Sequence, residues 1–345
     1  MGGVVNAYYT STKVSGDSTN STGTGTASNI TTGLLPNYLA VSGKTRQNDL
    51  DVAFNISINP GASTTRSGIQ TANQENRQAY LTFGDASWGS IKLGKDLGIY
   101  ASGAILNDMT LLGVGHSAGS LAGNTTTLGS IGAGYMYADW KSQVAYTSPN
   151  FNGFSFTAGL TQAFDVNNGA DSTGQRGGKE PAFEGQVSYA FAGDVSGKVW
   201  ASGISQNLEE FGVTANAWDI GANINAAGFG LTGYYGEGEG TGMTVQFAGA
   251  VDADGIKQDS KDWYLQATYA LPGVGTKLGA RYGESKLDHT AGTKAQREMW
   301  VAGVYHPVTK HLNLVAEYIE AKNFDTDADT SGKAKTVALG AILFF

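Results

Sequence analysis

The alternation of apolar and polar residues with a period of two is the feature that most constrains the fold of this chain. Side chains two residues apart share one face of a β-strand, so this period predicts strands. Glycine and β-branched residues interrupt every candidate helix. Sixteen segments alternate, and the breaks between them are alternately short and long: residues 3–10, 37–44, 50–58, 77–83, 90–95, 141–147, 153–162, 183–191, 197–205, 212–223, 228–236, 262–271, 276–285, 297–306, 311–323 and 335–345.

The faces of these segments indicate what surrounds them. In the last segment Val337, Leu339 and Leu343 share one side, and Thr336 lies on the other. A soluble sandwich gives the same alternation, but here Tyr, Phe and Trp cluster near the strand ends, as in the aromatic girdles of membrane barrels. No run approaches the roughly 20 apolar residues of a transmembrane helix. The sequence predicts an all-β fold, a 16-stranded antiparallel transmembrane β-barrel that forms one domain over residues 1–345.

Composition narrows the function classes. The chain has 345 residues, no cysteine and a formal net charge of -8. Disulfides and thiolate metal sites are thereby excluded, and the negative charge disfavours nonspecific binding to nucleic acid. The opening residues MGGVVNAYYT lack the basic and apolar regions of a signal peptide, so we expect a mature form of an exported protein.

A stretch from Trp88 to Phe154 carries a family resemblance. It contains WGSIKLGK, about forty residues without alternation (96–139), and then YTSPNFNGF at residues 146–154. Loops of that length inside a domain are usually functional. In this order and spacing the motifs resemble those of the Gram-negative general porins. The resemblance implies a homotrimer in the outer membrane, in contact with lipid and lipopolysaccharide, whose long third outer loop (96–139) folds into the pore.

The same resemblance implies passive diffusion of small hydrophilic solutes and ions, with no cofactor and no enzymatic activity. It gives the terminal aromatic Phe345 the role of a signal for membrane assembly. It also places Lys95 at a basic position of the pore wall, with Lys141 near a second one. Alternation alone directs further bases into the lumen: Lys44, Arg77, Lys92, Lys198, Lys277 and Arg281.

The loop departs from the family pattern where an acidic segment is expected. Residues 110–115 read TLLGVG, and Asp108 is the only acid between Leu97 and Ala138. His116 falls near where another acid is expected. Since the loop half of the transverse field is depleted of acids, we expect a channel that is weakly selective or leans toward anions.

Alternative functions rest on weaker motifs. A channel selective for organic anions or sugars would need an aromatic slide, for which the candidates are Tyr80, Tyr100, Tyr135 and Tyr137. The segment Gly115–Gly119 matches G-x-S-x-G, which makes Ser117 the nucleophile of a conceivable outer-membrane hydrolase, but the required helix does not follow. Asp325, Asp327 and Asp329 fail the EF-hand pattern at positions six and twelve. A soluble β-rich binding protein is the third alternative. No metal spacing or nucleotide motif is recognisable.

Overall fold

The strands close into a single barrel. The structure is a computed structural model that describes residues 1–16, 25–63, 74–115, 126–164, 180–252, 254–289, 292, 294–325 and 330–345. Its strands are β1 (Gly2–Gly16), β2 (Gly25–Thr31), β3 (Tyr38–Gln47), β4 (Leu50–Pro60), β5 (Gln74–Glu75), β6 (Ala79–Asp85), β7 (Gly89–Leu97), β8 (Trp140–Thr147), β9 (Phe154–Thr161), β10 (Ala182–Phe191), β11 (Val195–Leu208), β12 (Val213–Ala226), β13 (Phe229–Glu239), β14 (Asp259–Ala270), β15 (Lys277–Asp288), β16 (Lys294–Pro307), β17 (Leu312–Asp325) and β18 (Thr330–Phe344). Neighbouring strands of the barrel pair antiparallel, and β1 pairs with β18. The predicted barrel is confirmed.

Eighteen segments make sixteen barrel strands because two strands are interrupted. β2 pairs with the upper part of β1 and β3 with its first residues, so together they form one strand with a detour between them. Asn6 satisfies the backbone of the detour: its side chain donates to Leu35 O (2.8 Å) and accepts from Gly33 N (2.8 Å). Likewise β5 and β6 both pair with β4.

The first strand is longer than predicted. Residues 11–16 continue β1, and Gly25–Thr31 forms β2, although this region was predicted to be a break. Its Ser, Thr and Gly content is typical of turns, but backbone pairing with β18 and between β1 and β2 supplies the hydrogen bonds that extend both strands.

The two faces of the wall follow the predicted alternation. Exposed apolar side chains cover the outside of every sector, whereas Thr, Asn, Gln and charged residues are concentrated inside. Turns at one end are as short as Asn48–Asp49, and by the rule for outer-membrane barrels this end faces the periplasm. No helix in the described part of the chain is long and apolar enough to cross a membrane.

The inward loop and the candidate constriction

Residues 98–115 and 126–139, the described parts of the segment between β7 and β8, belong to a loop that lies inside the lumen. Its described parts contain a short helix α1 (Ser102–Leu106) and a 3-10 turn (Met109–Leu112). Apolar side chains of the loop are buried against the inner faces of strands, including Ala104 and Ile105 beside Trp200 of β11 and Val114 beside β17. The loop therefore narrows the lumen by packing along the wall from β10 round to β1.

Glu184 of β10 anchors the root of this loop. One carboxylate oxygen accepts hydrogen bonds from the backbone N–H groups of Ile99 and Tyr100, both at 2.8 Å. The other accepts from Lys141 Nζ (2.5 Å) and from Thr161 Oγ1 (2.8 Å). The side chains of Lys141 and Glu184 are fully buried, so this ion pair serves to hold the loop in place.

Glu317 of β17 anchors the middle of the loop. Its Oε2 accepts from Val114 N (2.8 Å) and Gly115 N (2.9 Å), and its Oε1 accepts from the Tyr305 hydroxyl (2.7 Å). Gly113 is required here, because a Cβ at this position would lie 2.1 Å from Glu317 Oε1. The wall and the loop backbone thus meet without room for a side chain.

Asp108 faces the wall instead of the open lumen. Its Oδ1 lies 3.7 Å from Arg281 Nε, both side chains are fully buried, and its Oδ2 accepts from the Tyr135 hydroxyl (2.7 Å). Burial raises the pKa of Tyr135 well above its usual range, and Asp108 raises it further, so Tyr135 stays a protonated donor. The Arg281 guanidinium also stacks 4.5 Å from the centroid of Tyr264.

A second segment folds inward and covers the loop. Its described residues, 240–252 and 254–258 between β13 and β14, include the buried Phe247 and Gln246. Gln246 accepts from Lys141 Nζ (2.5 Å) and donates to Tyr137 O (3.0 Å), and Thr244 O accepts from Tyr137 N (2.9 Å). This segment holds the returning arm of the loop against the wall.

The lysines near the short-turn end have no such anchoring role. Lys44, Lys198 and Lys277 face the lumen by the registers of β3, β11 and β15, and none has an ion-pair partner among the described residues. Lys92 also faces the lumen, where it pairs with Asp96 and lies 4.9 Å from the ring centroid of Tyr80. Lys44, Lys198 and Lys277 are therefore bases of the inner wall that no described acid pairs with directly.

The predicted constriction residues are not brought together as one group. Lys95 is a correction: it pairs with Ala79 and Ser142 on the face that carries Leu93, which is the outer face, and its Nζ donates to Asn76 O (2.9 Å). Lys141, Arg281 and Asp108 lie inside but are buried between loop and wall. Arg77 is also buried, where it pairs with Glu75 (2.8 Å) and donates to Thr126 Oγ1 (3.2 Å).

Residues of the alternative functions are dispersed or undescribed. Two of the four candidate tyrosines, Tyr100 and Tyr135, are buried between the loop and the wall. A third, Tyr80, lies on the lumen face of β6. The structure therefore does not assemble the four tyrosines into a slide. His116, Ser117, Asp327 and Asp329 lie outside the described residues.

Sequence reasoning missed the anchors Glu184, Gln266 and Glu317. Gln266 accepts from Met109 N (2.8 Å) and donates to Asn107 O (2.9 Å), in the same manner as the two acids. The available signal was a polar or acidic side chain at an inward position of an otherwise regular strand, where it needs partners once buried.

A closed sixteen-stranded barrel with an apolar outside, a polar inside and a loop packed in its lumen defines a class, the outer-membrane channels. The chain belongs to the Gram-negative porin family, whose model matches residues 1–327. It is an outer-membrane diffusion channel, and the soluble alternative is thereby rejected. Comparison of the sequence with curated proteins gives no match.

Solved porin structures share the fold at low sequence identity. The outer membrane channel DcaP of Acinetobacter baumannii is 16% identical with a TM-score of 0.70, covering 100% of this chain and 96% of that one. The anion-selective porin from Comamonas acidovorans is 17% identical with a TM-score of 0.61 and full coverage of both chains. OmpF of Salmonella typhi, in a complex with daunomycin, is 17% identical with a TM-score of 0.60, covering 98% and 97%.

Proposed function

We propose that this channel passes small hydrophilic solutes and ions with weak selectivity that leans toward anions. The observation that carries the proposal is the position of Asp108, the one acid of the described loop before Asp139, which is buried against Arg281. Because that carboxylate is covered, it contributes little field to the open lumen. Lys44, Lys198 and Lys277 remain as bases without a described ion-pair partner.

Acids near these lysines reduce the positive excess without cancelling it. Asp51 and Asp85 share Arg46 (2.7 and 2.8 Å), which offsets one of their two negative charges, and Asp96 binds Lys92. A cavity of about 390 Å³ at the short-turn end has both Asp194 and Lys277 among its lining residues, so one lysine shares its surroundings with an acid. The remaining excess is small, which supports weak selectivity.

The test is the reversal potential in a planar bilayer under a KCl gradient. A unit charge about 8 Å from an ion in water changes its local concentration about twofold before screening by salt. Lys44→Gln/Lys198→Gln/Lys277→Gln should therefore move the reversal potential toward cations. Lys95→Gln is the matched control, since Lys95 lies on the outer face. Cation selectivity of the unmodified protein, or an equal shift in the control, would refute the proposal.

We further infer that the channel assembles as a homotrimer through the outer face of β3, β4 and β6. This face is apolar and mostly aliphatic, and its large exposed residues are Leu39, Val41, Phe54, Ile56, Ile58 and Leu81. The opposite side carries outward aromatic pairs, such as Trp218 with Tyr235 and Trp263 with Tyr282, as expected for a surface that meets lipid. The lipid-facing side would then contact outer-membrane lipid and lipopolysaccharide.

Two arginine substitutions test this assembly. Ile56→Arg places a charge in the proposed interface, whereas Leu265→Arg places one on the aromatic side at similar exposure. We expect native mass spectrometry to show monomers for Ile56→Arg and trimers for Leu265→Arg. Trimers in both variants would contradict the proposed interface.

The proposal includes no catalysis. The family and the fold support a channel, and the hydrolase reading depends on Ser117, which lies outside the described residues. Ester cleavage by the refolded protein that is lost in Ser117→Ala, with conductance unchanged, would overturn this part of the proposal.

A further inference from the structure

Four lysines lie together on the outer face of β17, β18 and β1, near the long-loop end. Lys335 of β18 is directly opposite Lys13 of β1, and Lys333 of β18 is directly opposite Lys322 of β17. Opposed residues on one face of a sheet have Cβ atoms about 5 Å apart, and like charges there are destabilising. We call Lys13, Lys322, Lys333 and Lys335 the basic patch.

The acids around the basic patch do not neutralise it. Glu320 lies 2.5 Å from Lys333 Nζ and 3.7 Å from Lys335 Nζ, and Glu298 lies 3.8 Å from Lys322 Nζ. Lys13 has no ion-pair partner among the described residues. Lys322 and Lys335 keep 40% and 46% of their side-chain surface exposed, so the excess positive charge faces outward and is accessible.

A second opposed pair of lysines shows what a balanced arrangement looks like. Lys261 of β14 is directly opposite Lys286 of β15, also on the outer face. Each has its own acid: Lys261 lies 3.6 Å from Glu237, and Lys286 lies 2.9 Å from Asp288. The excess charge is thus a property of the basic patch and not of opposed lysines in general.

The height of the basic patch on the barrel identifies its surroundings. Two residues below Lys335 on the same face is Val337, followed by Leu339, both large exposed apolar side chains. On the neighbouring strands Trp300 and Tyr318 pack at 5.2 Å between ring centroids, and such aromatics mark the boundary between hydrocarbon and headgroups. Trp300 is directly opposite Glu320, and Glu320 is directly opposite Lys335, so Lys335 lies at that boundary. Lys322 and Lys333 lie one row nearer the long loops, which places the basic patch at the level of the outer-leaflet headgroups.

We propose that the basic patch binds the phosphate groups of a phosphorylated outer-leaflet lipid of the lipid A class. A phosphate placed among the four ammonium groups relieves both like-charge pairs and forms charge-assisted hydrogen bonds. The apolar surface below accommodates the acyl chains of the same molecule. This inference deepens the proposed contact of the barrel with lipopolysaccharide and gives it a location.

The experiment compares two matched double variants. Lys13→Gln/Lys335→Gln disrupts the basic patch, and Lys261→Gln/Lys286→Gln removes an opposed pair whose lysines have their own acids. Each protein is refolded in detergent and titrated by native mass spectrometry with diphosphorylated lipid A, monophosphorylated lipid A, phosphatidylglycerol and inorganic phosphate. We expect affinity for diphosphorylated lipid A to fall about thirtyfold in the first variant and little in the second.

Unfolding temperature, oligomeric state and conductance distinguish a ligand site from other roles of the basic patch. Without lipid, Lys13→Gln/Lys335→Gln should unfold at the same or a higher temperature, because a repulsion is removed; a lower temperature would indicate a structural role. Equal losses in both variants, unchanged affinity in the first, or equal binding of inorganic phosphate would overturn the proposal. Loss of oligomers in the first variant would show that a second copy covers the basic patch. Conductance is measured in parallel, so that a failed channel assignment is distinguished from a failed lipid site.

Discussion

Replacement of Glu184 by alanine is the sharpest test of how the inward loop is held. The substitution removes the acceptor of four hydrogen bonds, from Ile99 N, Tyr100 N, Lys141 Nζ and Thr161 Oγ1. It also leaves the ammonium group of Lys141 fully buried without its carboxylate. Loss of one partner of a buried ion pair costs about 3–5 kcal/mol, so we expect the free energy of unfolding to fall by that amount.

A double-mutant cycle separates the ion pair from the rest of the network. Lys141→Met leaves Glu184 with two backbone N–H donors and the Thr161 hydroxyl, so it should cost less, about 2 kcal/mol. In Glu184→Ala/Lys141→Met no unpaired charge remains. The double variant should therefore lose about 1–3 kcal/mol less than the sum of the single losses.

The assay is urea unfolding in lipid vesicles followed by tryptophan fluorescence, with single-channel recording of the same preparations. Glu184→Ala should also increase open-channel noise, because the root of the loop is released. Gln186→Ala is the control: this neighbour on β10 donates one hydrogen bond to Ser102 Oγ (3.2 Å) and is only partly buried, so it should cost under about 1 kcal/mol. Additive losses in the cycle, or quiet channels in Glu184→Ala, would refute the proposed anchor.

Three further substitutions probe the loop and the chain end. Gly113→Ala places a methyl group 2.1 Å from Glu317 Oε1 and should lower stability by about 1–3 kcal/mol and alter conductance, measured by unfolding and bilayer recording. Asp108→Asn leaves Arg281 buried without a carboxylate and should cost about 3 kcal/mol, yet leave the reversal potential unchanged. Deletion of Phe345, a residue that is 57% exposed, should reduce outer-membrane levels in cells but not refolding in detergent; normal levels would contradict its predicted role as an assembly signal.

Much of the wall was predictable because a strand has only two faces. Alternation placed Lys44, Lys198 and Lys277 inside, and the registers agree. The same alternation groups Lys95 with Leu93, on the outer face, whereas the motif resemblance placed Lys95 in the pore. Side-chain direction in a regular strand is fixed by parity, so parity was the better guide at this residue.

The path of the loop was not predictable in the same way, because its anchors are distant in sequence. The hydrogen bonds of Glu184 to the loop span 85 and 84 residues, and those of Glu317 span 203 and 202. An acid at an inward strand position indicates that it needs donors when buried, but it does not reveal which segment provides them. This difference also affects ion selectivity. Buried acids such as Glu184 and Asp108 hold the loop, so their charges contribute little to the electric field in the open lumen. The formal net charge of -8 therefore does not determine the sign of the charge in the lumen, and the proposed lean toward anions is compatible with it.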